Sequence, residues 1–354
     1  MPRPTWLFAR PGDFAHVWPF VEERLFSRLA TTGEVRVVSV GRDAALEEAT
    51  DLSRCTGIAW FGGRFTAATL RAAPQLKVVG CNTDNTGHGL PMAELGAAGI
   101  PVIDTTRAWG QSVAELALAL ALAALRRVPT WHQELASGAL SFQYEAVQFC
   151  DSRAFIGGEL GTKRVGIIGL GQIGGRVARW CVALGADAAT GPDLRGQVLG
   201  YDPFLPAAVV QGWGVRLVDI DTLVDQSEVI FVLAPPTPSA RHLLNRERIA
   251  RLQRGALVVI ATRAHAVDMM ALRERLVANE LAAALDVYDV EPLPPDDPLR
   301  GRPNVVHTPH IAGRTRDANW RTADLLADEF ARVLNGEPPR HELTASAIAA
   351  RTGR

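Results

Sequence analysis

The chain has few cysteines, and none of them is arranged to bind a metal or to form a disulfide framework. Its 354 residues include only four, Cys55, Cys81, Cys150 and Cys181, with no C-x-x-C pair. Such scattered cysteines are typical of a protein of the reducing cytosol. Histidines and carboxylates likewise show no cluster with metal-ligand spacing. We therefore predict a cytoplasmic protein without a metal site.

The sequence also lacks an excess of either charge and a long uncharged apolar run. Its 37 Lys and Arg against 38 Asp and Glu leave a formal net charge of −1, which provides no electrostatic basis for binding nucleic acid or an anionic membrane. The longest apolar stretch, residues 113–128, is too short to span a bilayer and contains Glu115, Arg126 and Arg127. The apolar run at the N-terminus is too short for a signal peptide. We expect no membrane or nucleic-acid partner.

A glycine-rich turn is the most informative feature that is present. The segment from Val165 to Gly174 predicts a short buried strand, a turn and the start of a helix, and Gly169, Gly171 and Gly174 have the G-x-G-x-x-G spacing. The first glycine permits the tight turn, the second lets a pyrophosphate approach the backbone, and the third lets helix and strand pack closely. The N-terminus of the following helix would attract the phosphates. The motif in this context predicts dinucleotide binding.

An acid at the end of the next strand favours NAD over NADP. The segment Gln197 to Asp202 ends in a carboxylate that can accept hydrogen bonds from the adenosine ribose hydroxyls and would repel a 2′-phosphate. Asp202 lies 28 residues after Gly174, because a loop-like insert of residues 186–196 lengthens the usual interval. Two alternatives stay open: Asp202 could be a turn residue before Pro203, and Arg176 and Arg195 could serve a 2′-phosphate.

The alternation of strands and helices predicts two parallel α/β domains. In the first hundred residues the expected strands are residues 35–40, 57–60, 78–81 and 101–103, and after Lys163 they are residues 198–201, 229–233, 256–260, 282–286 and 304–307. A helix is expected from Ser112, as its cap, to Arg127, with Glu115 completing a capping box. We predict a substrate domain of residues 1–111 and 313–354, and a dinucleotide-binding domain of residues 112–312.

Three residues that follow apolar strands have the chemistry to reduce a 2-oxo acid. Arg263, Glu291 and His310 each come after such a strand, and ligands of an open α/β sheet bind at that edge. A guanidinium can bind the substrate carboxylate and polarise its carbonyl, and an imidazole can donate the proton. A neighbouring carboxylate would orient the imidazole. Asp286 and Asp289 compete with Glu291 for that last role, whereas His307 is interpreted as a structural strand residue.

Several long motifs in the same order resemble the D-isomer-specific 2-hydroxyacid dehydrogenases. They are residues 159–174, 263–268, 284–294 and 304–313, within a similarity that extends from about Lys77 to Gly336. The resemblance implies two Rossmann-like domains with doubly wound parallel sheets and an active site in the cleft between them. It implies Arg263, Glu291 and His310 as the catalytic residues, with His310 as the acid/base and Glu291 selected over the aspartates.

The resemblance also implies the residues that bind ligands and a partner. Cys81, Asn82 and Thr83 would bind the substrate carboxylate together with Arg263. The cofactor would be NAD, and its contacts would be Gly169, Gly171, Gln172, Ile173, Gly174, Asp202, Pro203, Ala234, Pro235, Thr262, Asp286 and Gly313. The apolar helix that starts at Ser112 would be buried, in the core or against a second subunit. We therefore predict a homodimer formed through the cofactor domain.

The chain departs from the family pattern close to these sites. Ala264 and His265 follow the arginine where the family usually has two glycines, and Cys81-Asn82-Thr83 replaces Gly-x-Gly. Leu233 stands where a histidine is common, and Trp109 occupies a position that is usually small or polar. The added bulk suggests a small substrate or a differently placed carboxylate.

We therefore predict an oxidoreductase that transfers a hydride between NAD(H) and C2 of a small D-2-hydroxy acid or 2-oxo acid. Two alternatives share the fold. One is a non-enzymatic scaffold or corepressor that responds to NAD(H), and the other is a relative that oxidises formate or phosphite. The sequence does not specify the substrate or the physiological direction.

Overall fold

The structure, a computed structural model, describes residues 3–82, 89–139, 154–185 and 197–344. The chain divides into two compact units, Met1–Gly110 with Arg314–Arg354, and Gln111–Gly313. The predicted boundaries, after residues 111 and 312, each lie one residue from this division. The function assigned to each unit stays a prediction.

The described residues form strands and helices in alternation. The strands are β1 (Thr5–Arg10), β2 (Glu34–Ser39), β3 (Cys55–Trp60), β4 (Val78–Cys81), β5 (Val102–Asp104), β6 (Val165–Ile168), β7 (Val198–Tyr201), β8 (Arg216–Leu217), β9 (Val229–Val232), β10 (Leu257–Ile260), β11 (Ala282–Leu285) and β12 (Val305–His307). The helices are α1 (Phe14–Val17), α2 (Pro19–Ala30), α3 (Leu46–Ala49), α4 (Ala67–Ala72), α5 (Met92–Ala97), α6 (Gly110–Leu125), α7 (Val128–Ala136), α8 (Gly174–Gly185), α9 (Ala207–Gln211), α10 (Ile220–Gln226), α11 (Arg246–Arg251), α12 (Met269–Val277) and α13 (Arg316–Leu334).

The first unit is built on a five-stranded parallel sheet in the order β2-β1-β3-β4-β5. Alternate residues of β1 enter two separate hydrophobic clusters: Leu7 lies in one, and Trp6 and Phe8 pack in the other with residues of α2 and α13. Because successive side chains of a strand point to opposite faces, the sheet is covered on both sides. The order is that of a doubly wound fold.

The sequence analysis missed β1, although this strand lies in the interior of the sheet between β2 and β3. Its residues Trp6 to Ala9 are buried to 1% exposure or less. A strand buried on both faces shows a continuous apolar run without the polar alternation that identifies a half-exposed strand. The two-residue strand β8 was missed as well, because so short a segment has no recognisable pattern.

The second unit contains a seven-stranded parallel sheet in the order β12-β11-β10-β9-β6-β7-β8. Counted along this unit, the order is that of a dinucleotide-binding fold extended by one strand. The chain changes direction across the sheet between β6 and β9, and a crevice forms at the carboxyl ends of such a pair. The glycine turn follows β6, so the fold places it at this crevice.

The apolar helix α6 begins earlier than predicted. A 3₁₀ turn, Thr106–Trp109, leads directly into Gly110, so Ser112 is buried inside the helix and the predicted capping box is wrong. The combined segment Thr106–Leu125 is long and apolar enough to cross a bilayer by length and composition alone. Half of its most apolar window is buried inside the fold, and core helices pass the same test of length and composition.

Candidate active site

Three adjacent strands place Arg263, Glu291 and His310 at one edge of the second sheet. Strands β10, β11 and β12 are neighbours and run parallel, so their carboxyl ends point the same way. Arg263 follows β10, Glu291 follows β11 and His310 follows β12. The structure brings the three side chains together, as a shared sheet edge predicts.

The three side chains form a chain of short contacts. His310 Nδ1 lies 2.6 Å from Glu291 Oε2, and His310 Nε2 lies 3.4 Å from Arg263 Nη1. A carboxylate only accepts hydrogen bonds, so Nδ1 carries the hydrogen that faces Glu291. Both side chains of the pair are about one third exposed, at 37% and 35%. Nε2 is therefore the ring nitrogen available to exchange a proton with a ligand beside Arg263.

The structure selects Glu291 over Asp289 as the partner of the histidine. Asp289 pairs with Arg273 at 2.9 Å, and the hydrogen bond from that guanidinium lowers the pKa of the Asp289 carboxyl. Glu291 instead accepts a hydrogen bond from the backbone N–H of Tyr288 through Oε1, at 2.9 Å, while Oε2 faces His310. Asp289 is thus already paired with a cation, and Glu291 is the carboxylate that faces His310.

Asp286 holds the loop that carries His310. It is fully buried and accepts hydrogen bonds from Thr308 Oγ1 at 2.6 Å and from the backbone N–H groups of Ile311 and Ala312 at 2.9 Å. His310 has φ +54°, a left-handed conformation that costs a non-glycine residue free energy and persists where neighbours enforce it. The sequence analysis assigned Asp286 to the cofactor and missed this positioning role. Its contact with the cofactor stays a prediction.

The glycine turn has the space that its motif predicts. Gly169 has φ +88°, and a Cβ there would lie 2.7 Å from the backbone of Ala234. A Cβ on Gly174 would lie 1.9 Å from the carbonyl oxygen of Gly169, whereas a Cβ on Gly171 would meet nothing within 4 Å. Helix α8 begins at Gly174, so its N-terminus, the positive end of the helix dipole, follows this turn directly. The open side at Gly171 and the helix N-terminus fit a bound pyrophosphate.

These two glycines allow a matched test of cofactor binding. We expect Gly171→Ala to keep the melting temperature but to raise the Kd for NADH by about tenfold or more, the equivalent of one lost hydrogen bond. Gly174→Ala should instead lower the free energy of unfolding by roughly 1–3 kcal/mol or more, because the new methyl group overlaps a backbone carbonyl. Fluorescence titration with NADH and thermal melts measure the two effects. Unchanged NADH affinity in Gly171→Ala would argue against a pyrophosphate at the turn.

Asp202 has the turn role considered for it and a second hydrogen bond to the glycine turn. Its carboxylate accepts hydrogen bonds from the backbone N–H of Phe204 and from that of Leu170, each at 2.9 Å. The first bond is a local turn interaction, and the second ties the end of β7 to the glycine turn. Pro203 beside it is exposed. The position suits a ribose contact, which stays a prediction.

The other predicted cofactor residues lie near the same sheet edge. Gln172 is exposed and Ile173 half-buried in the glycine turn, Pro235 is exposed after β9, and Gly313 is half-buried beyond the His310 loop. Thr262 Oγ1 lies 3.3 Å from the carbonyl oxygen of Ala234, which links the ends of β10 and β9. Leu233, the residue before Ala234, is buried.

His265, which replaces an expected glycine, acts as a link between loops. Its Nε2 donates to the carbonyl of Thr237 at 2.8 Å, and its own carbonyl accepts from the backbone N–H of His242 at 3.1 Å. The ring therefore joins the turn after Arg263 to the loop after β9. Ala264 beside it is buried and packs into the core of the unit. The two added side chains are used for packing and loop attachment.

The predicted substrate residues belong to the first unit. Cys81 and Asn82 are buried at the end of β4, with 0% and 1% exposure, and Thr83 lies outside the described residues, as do His88, Cys150 and Arg195. The carbonyl of Cys81 accepts hydrogen bonds from the backbone N–H and the hydroxyl of Thr105. Trp109 stacks on Trp18 with ring centroids 5.2 Å apart. Substrate binding by residues 81–83 stays a prediction that rests on the resemblance.

Metal-ligating side chains do not cluster in the part of the chain that the structure describes. No group of three or more His, Cys, Asp or Glu is arranged there to hold an ion. The buried thiol of Cys181 has its pKa raised to about 12 by burial, so it stays protonated.

The seven-stranded order and the glycine turn define a dinucleotide-binding α/β protein. Residues 118–312, more than half of the chain, match the family model of the D-isomer specific 2-hydroxyacid dehydrogenase, NAD binding domain. The chain therefore belongs to the D-isomer-specific 2-hydroxyacid dehydrogenase family, which the resemblance of its motifs indicated.

The relatives include proteins named for different activities. The chain is 36% identical over 286 residues to D-3-phosphoglycerate dehydrogenase of Archaeoglobus fulgidus, covering 80% of this chain and 50% of that protein. It is 34% identical over 279 residues to hydroxypyruvate reductase of Thermotoga maritima, covering 77% of this chain and 82% of the other. A phosphoglycerate oxidoreductase from Rhizobium etli has a similar solved structure, with TM-score 0.77, 25% identity and coverage of 97% and 98%. The chain spans about half the length of the phosphoglycerate dehydrogenases that it matches.

Proposed function

We propose that this protein reduces a small 2-oxo acid with NADH and, in reverse, oxidises the corresponding D-2-hydroxy acid. The observation that carries the proposal is the contact chain Glu291–His310–Arg263, with 2.6 Å and 3.4 Å between its members. In this proposal His310 is the proton donor and Arg263 is the cation beside it, at the sheet edge that also holds the dinucleotide motif. Reduction of a 2-oxo acid needs both groups at its carbonyl oxygen.

Each residue has a separate role in the proposed reaction. The nicotinamide of a cofactor held at the glycine turn would supply the hydride to C2. Arg263 binds the substrate carboxylate and polarises the carbonyl, and its guanidinium is oriented by a hydrogen bond from Nη1 to the carbonyl of Thr262 at 2.8 Å. His310 donates the proton from Nε2 to the oxygen that becomes the hydroxyl. Glu291 fixes the ring through Nδ1 and stabilises the positive charge when the ring is protonated.

The cofactor is NAD in this proposal, with Asp202 as the residue that disfavours NADP. Its carboxylate stands at the end of β7 and is anchored to the glycine turn through Leu170. A 2′-phosphate would meet this negative charge. We expect Asp202 to accept hydrogen bonds from the adenosine ribose. Equal catalytic efficiency with NADH and NADPH would contradict this assignment.

The deciding experiment is NADH oxidation, followed by absorbance, against glyoxylate, hydroxypyruvate, pyruvate, 2-oxoglutarate and bulkier 2-oxo acids. We expect turnover with at least one of the small acids and a preference for NADH over NADPH. Formate and phosphite with NAD⁺ form a second arm. Turnover in that arm alone would replace the proposal by the oxidation of those anions. NADH binding without turnover on any compound would favour the non-enzymatic scaffold.

We further propose a cytoplasmic homodimer that forms through the second unit, and substrate contacts at Cys81, Asn82 and Thr83. Apolar side chains exposed on the consecutive helices α6 and α7 support the dimer: Leu122, Val128 and Leu135 are 36%, 52% and 55% exposed. A monomer in sedimentation equilibrium would contradict the dimer.

The proposed substrate contacts at residues 81–83 rest on the family resemblance.

A further inference from the structure

We infer that Tyr288 and His307 form a positioning pair that fixes the Glu291–His310 contact. This inference rests on the proposed function, because it concerns the same proton donor. The two residues lie at the ends of neighbouring strands: Tyr288 follows β11 and His307 is the last residue of β12. Both act on the catalytic residues through the two loops that carry Glu291 and His310.

Tyr288 contacts both catalytic loops at once. Its backbone N–H donates to Glu291 Oε1 at 2.9 Å, on the carboxylate whose other oxygen faces His310. Its hydroxyl lies 3.1 Å from His307 Nδ1 and 3.2 Å from the carbonyl oxygen of Thr308, two residues before His310. The same hydroxyl lies 3.1 Å from the carbonyl oxygen of Leu285. One side chain therefore joins the exit of β11 to the exit of β12.

His307 extends this connection to a third segment. Its Nε2 lies 3.0 Å from the carbonyl oxygen of Leu299, and a carbonyl only accepts, so Nε2 carries a hydrogen. In the neutral ring Nδ1 is then an acceptor, which matches the Tyr288 hydroxyl. The two rings stack with centroids 6.0 Å apart and planes 24° from parallel. The sequence analysis interpreted His307 as a packing residue and missed this bonded arrangement.

The tyrosine keeps its proton under all conditions in which the enzyme would work. Burial raises the pKa of Tyr288 to about 12, and the negative charges of Asp286 and Glu291 add to the effect. The hydroxyl therefore stays a donor to His307 or to a backbone carbonyl. On the tyrosine side, the connection between the two loops therefore keeps one protonation state near neutral pH.

A positioning role follows from the sensitivity of proton transfer to distance. Glu291 lies on the loop after β11 and His310 on the loop after β12, so their 2.6 Å contact requires the two loops to keep their relative positions. Asp286 holds the His310 loop through Thr308, Ile311 and Ala312, and Tyr288 with His307 joins the two loops. Errors of about 1 Å in such a constellation cost up to a hundredfold in rate.

The test separates the two bonds of His307 by substitution. Asparagine can place an amide near the Nδ1 position and keep a partner for Tyr288, whereas glutamine can reach the Nε2 position and keep the bond to Leu299. We expect Tyr288→Phe and His307→Gln to lower kcat about tenfold, while KM for the 2-oxo acid and the Kd for NADH stay within about twofold. His307→Asn should restore most of kcat. The double variant Tyr288→Phe/His307→Gln should be no slower than either single variant, because each substitution removes the same hydrogen bond between Tyr288 and His307.

Two controls make the outcomes distinct. His16→Gln, at an exposed histidine of the first unit, should leave kcat unchanged. His310→Ala tests the proposed function separately, and turnover that survives in it would remove the basis of both proposals. If His310→Ala is inactive while Tyr288→Phe and both His307 variants keep kcat within about twofold, the positioning role is wrong and the function stands. Parallel losses of NADH affinity and melting temperature would show a merely structural pair and would also overturn the inference.

Discussion

Substitution of His310 is expected to abolish turnover while NADH binding is retained. His310→Asn is the sharper variant, because asparagine tolerates the left-handed backbone, φ +54°, better than alanine does. Loss of the general acid should lower kcat by about 10²–10⁴. The NADH Kd should change little, since the glycine turn and Asp202 are untouched. Fluorescence titration and steady-state kinetics on the same preparations would measure both.

His310→Ala serves as the comparison for this variant. If asparagine and alanine lose kcat equally and the asparagine protein melts at the wild-type temperature, the loss is chemical and not conformational. Wild-type turnover in His310→Asn would exclude His310 as the acid/base. Such a result would return attention to His265 and His307, the other histidines near this edge, although each donates Nε2 to a backbone carbonyl.

Substitution of Arg263 is expected to have the second largest effect, in both kcat and KM. Truncating one partner of a desolvated, hydrogen-bonded charge pair costs roughly 2–5 kcal/mol. Because every 1.4 kcal/mol is tenfold, Arg263→Ala should lower kcat/KM by a factor between about 25 and about 4,000. The loss should fall on KM through the substrate carboxylate and on kcat through the carbonyl oxygen.

Arg263→Lys tests whether charge alone is sufficient. Lysine keeps the charge but lacks the planar fork, so we expect it to recover only part of the activity. Added guanidinium ion should partly rescue Arg263→Ala and leave Arg263→Lys unaffected. If Arg263→Ala raised only the Kd for NADH and left the KM for the 2-oxo acid unchanged, the assignment of Arg263 to the substrate would be wrong.

Ala264 and His265, the two departures from the family pattern beside Arg263, are compatible with an active enzyme. His265 links the turn after Arg263 to the carbonyl of Thr237, and Ala264 is packed in the core. Neither side chain displaces the contact between Arg263 and His310. The side chains of Ala264 and His265 therefore pack against and bond to the second unit itself.

The sequence by itself determined most of the second unit. A strand, a glycine turn and a helix are local features: Gly169 has the positive φ that the turn requires, and a Cβ on Gly174 would meet the carbonyl oxygen of Gly169 five residues earlier. The positions of Arg263, Glu291 and His310 were predictable for a related reason: each follows an apolar strand, and parallel strands present their carboxyl ends at one edge. Apolar strands followed by polar residues can be recognised in the sequence without knowledge of the tertiary structure.

Only the tertiary structure decided which partners those residues have. Glu291 was distinguished from Asp289 by Arg273, which comes from α12, and the role of Asp286 depends on backbone N–H groups about 25 residues away. Ser112 failed as a helix cap because the preceding 3₁₀ turn continues into α6, and β1 was missed because burial on both faces removed its alternation. The pair Tyr288–His307 likewise joins two strand ends. Such contacts are specified by the folded arrangement of distant segments, and no local pattern of side chains encodes them.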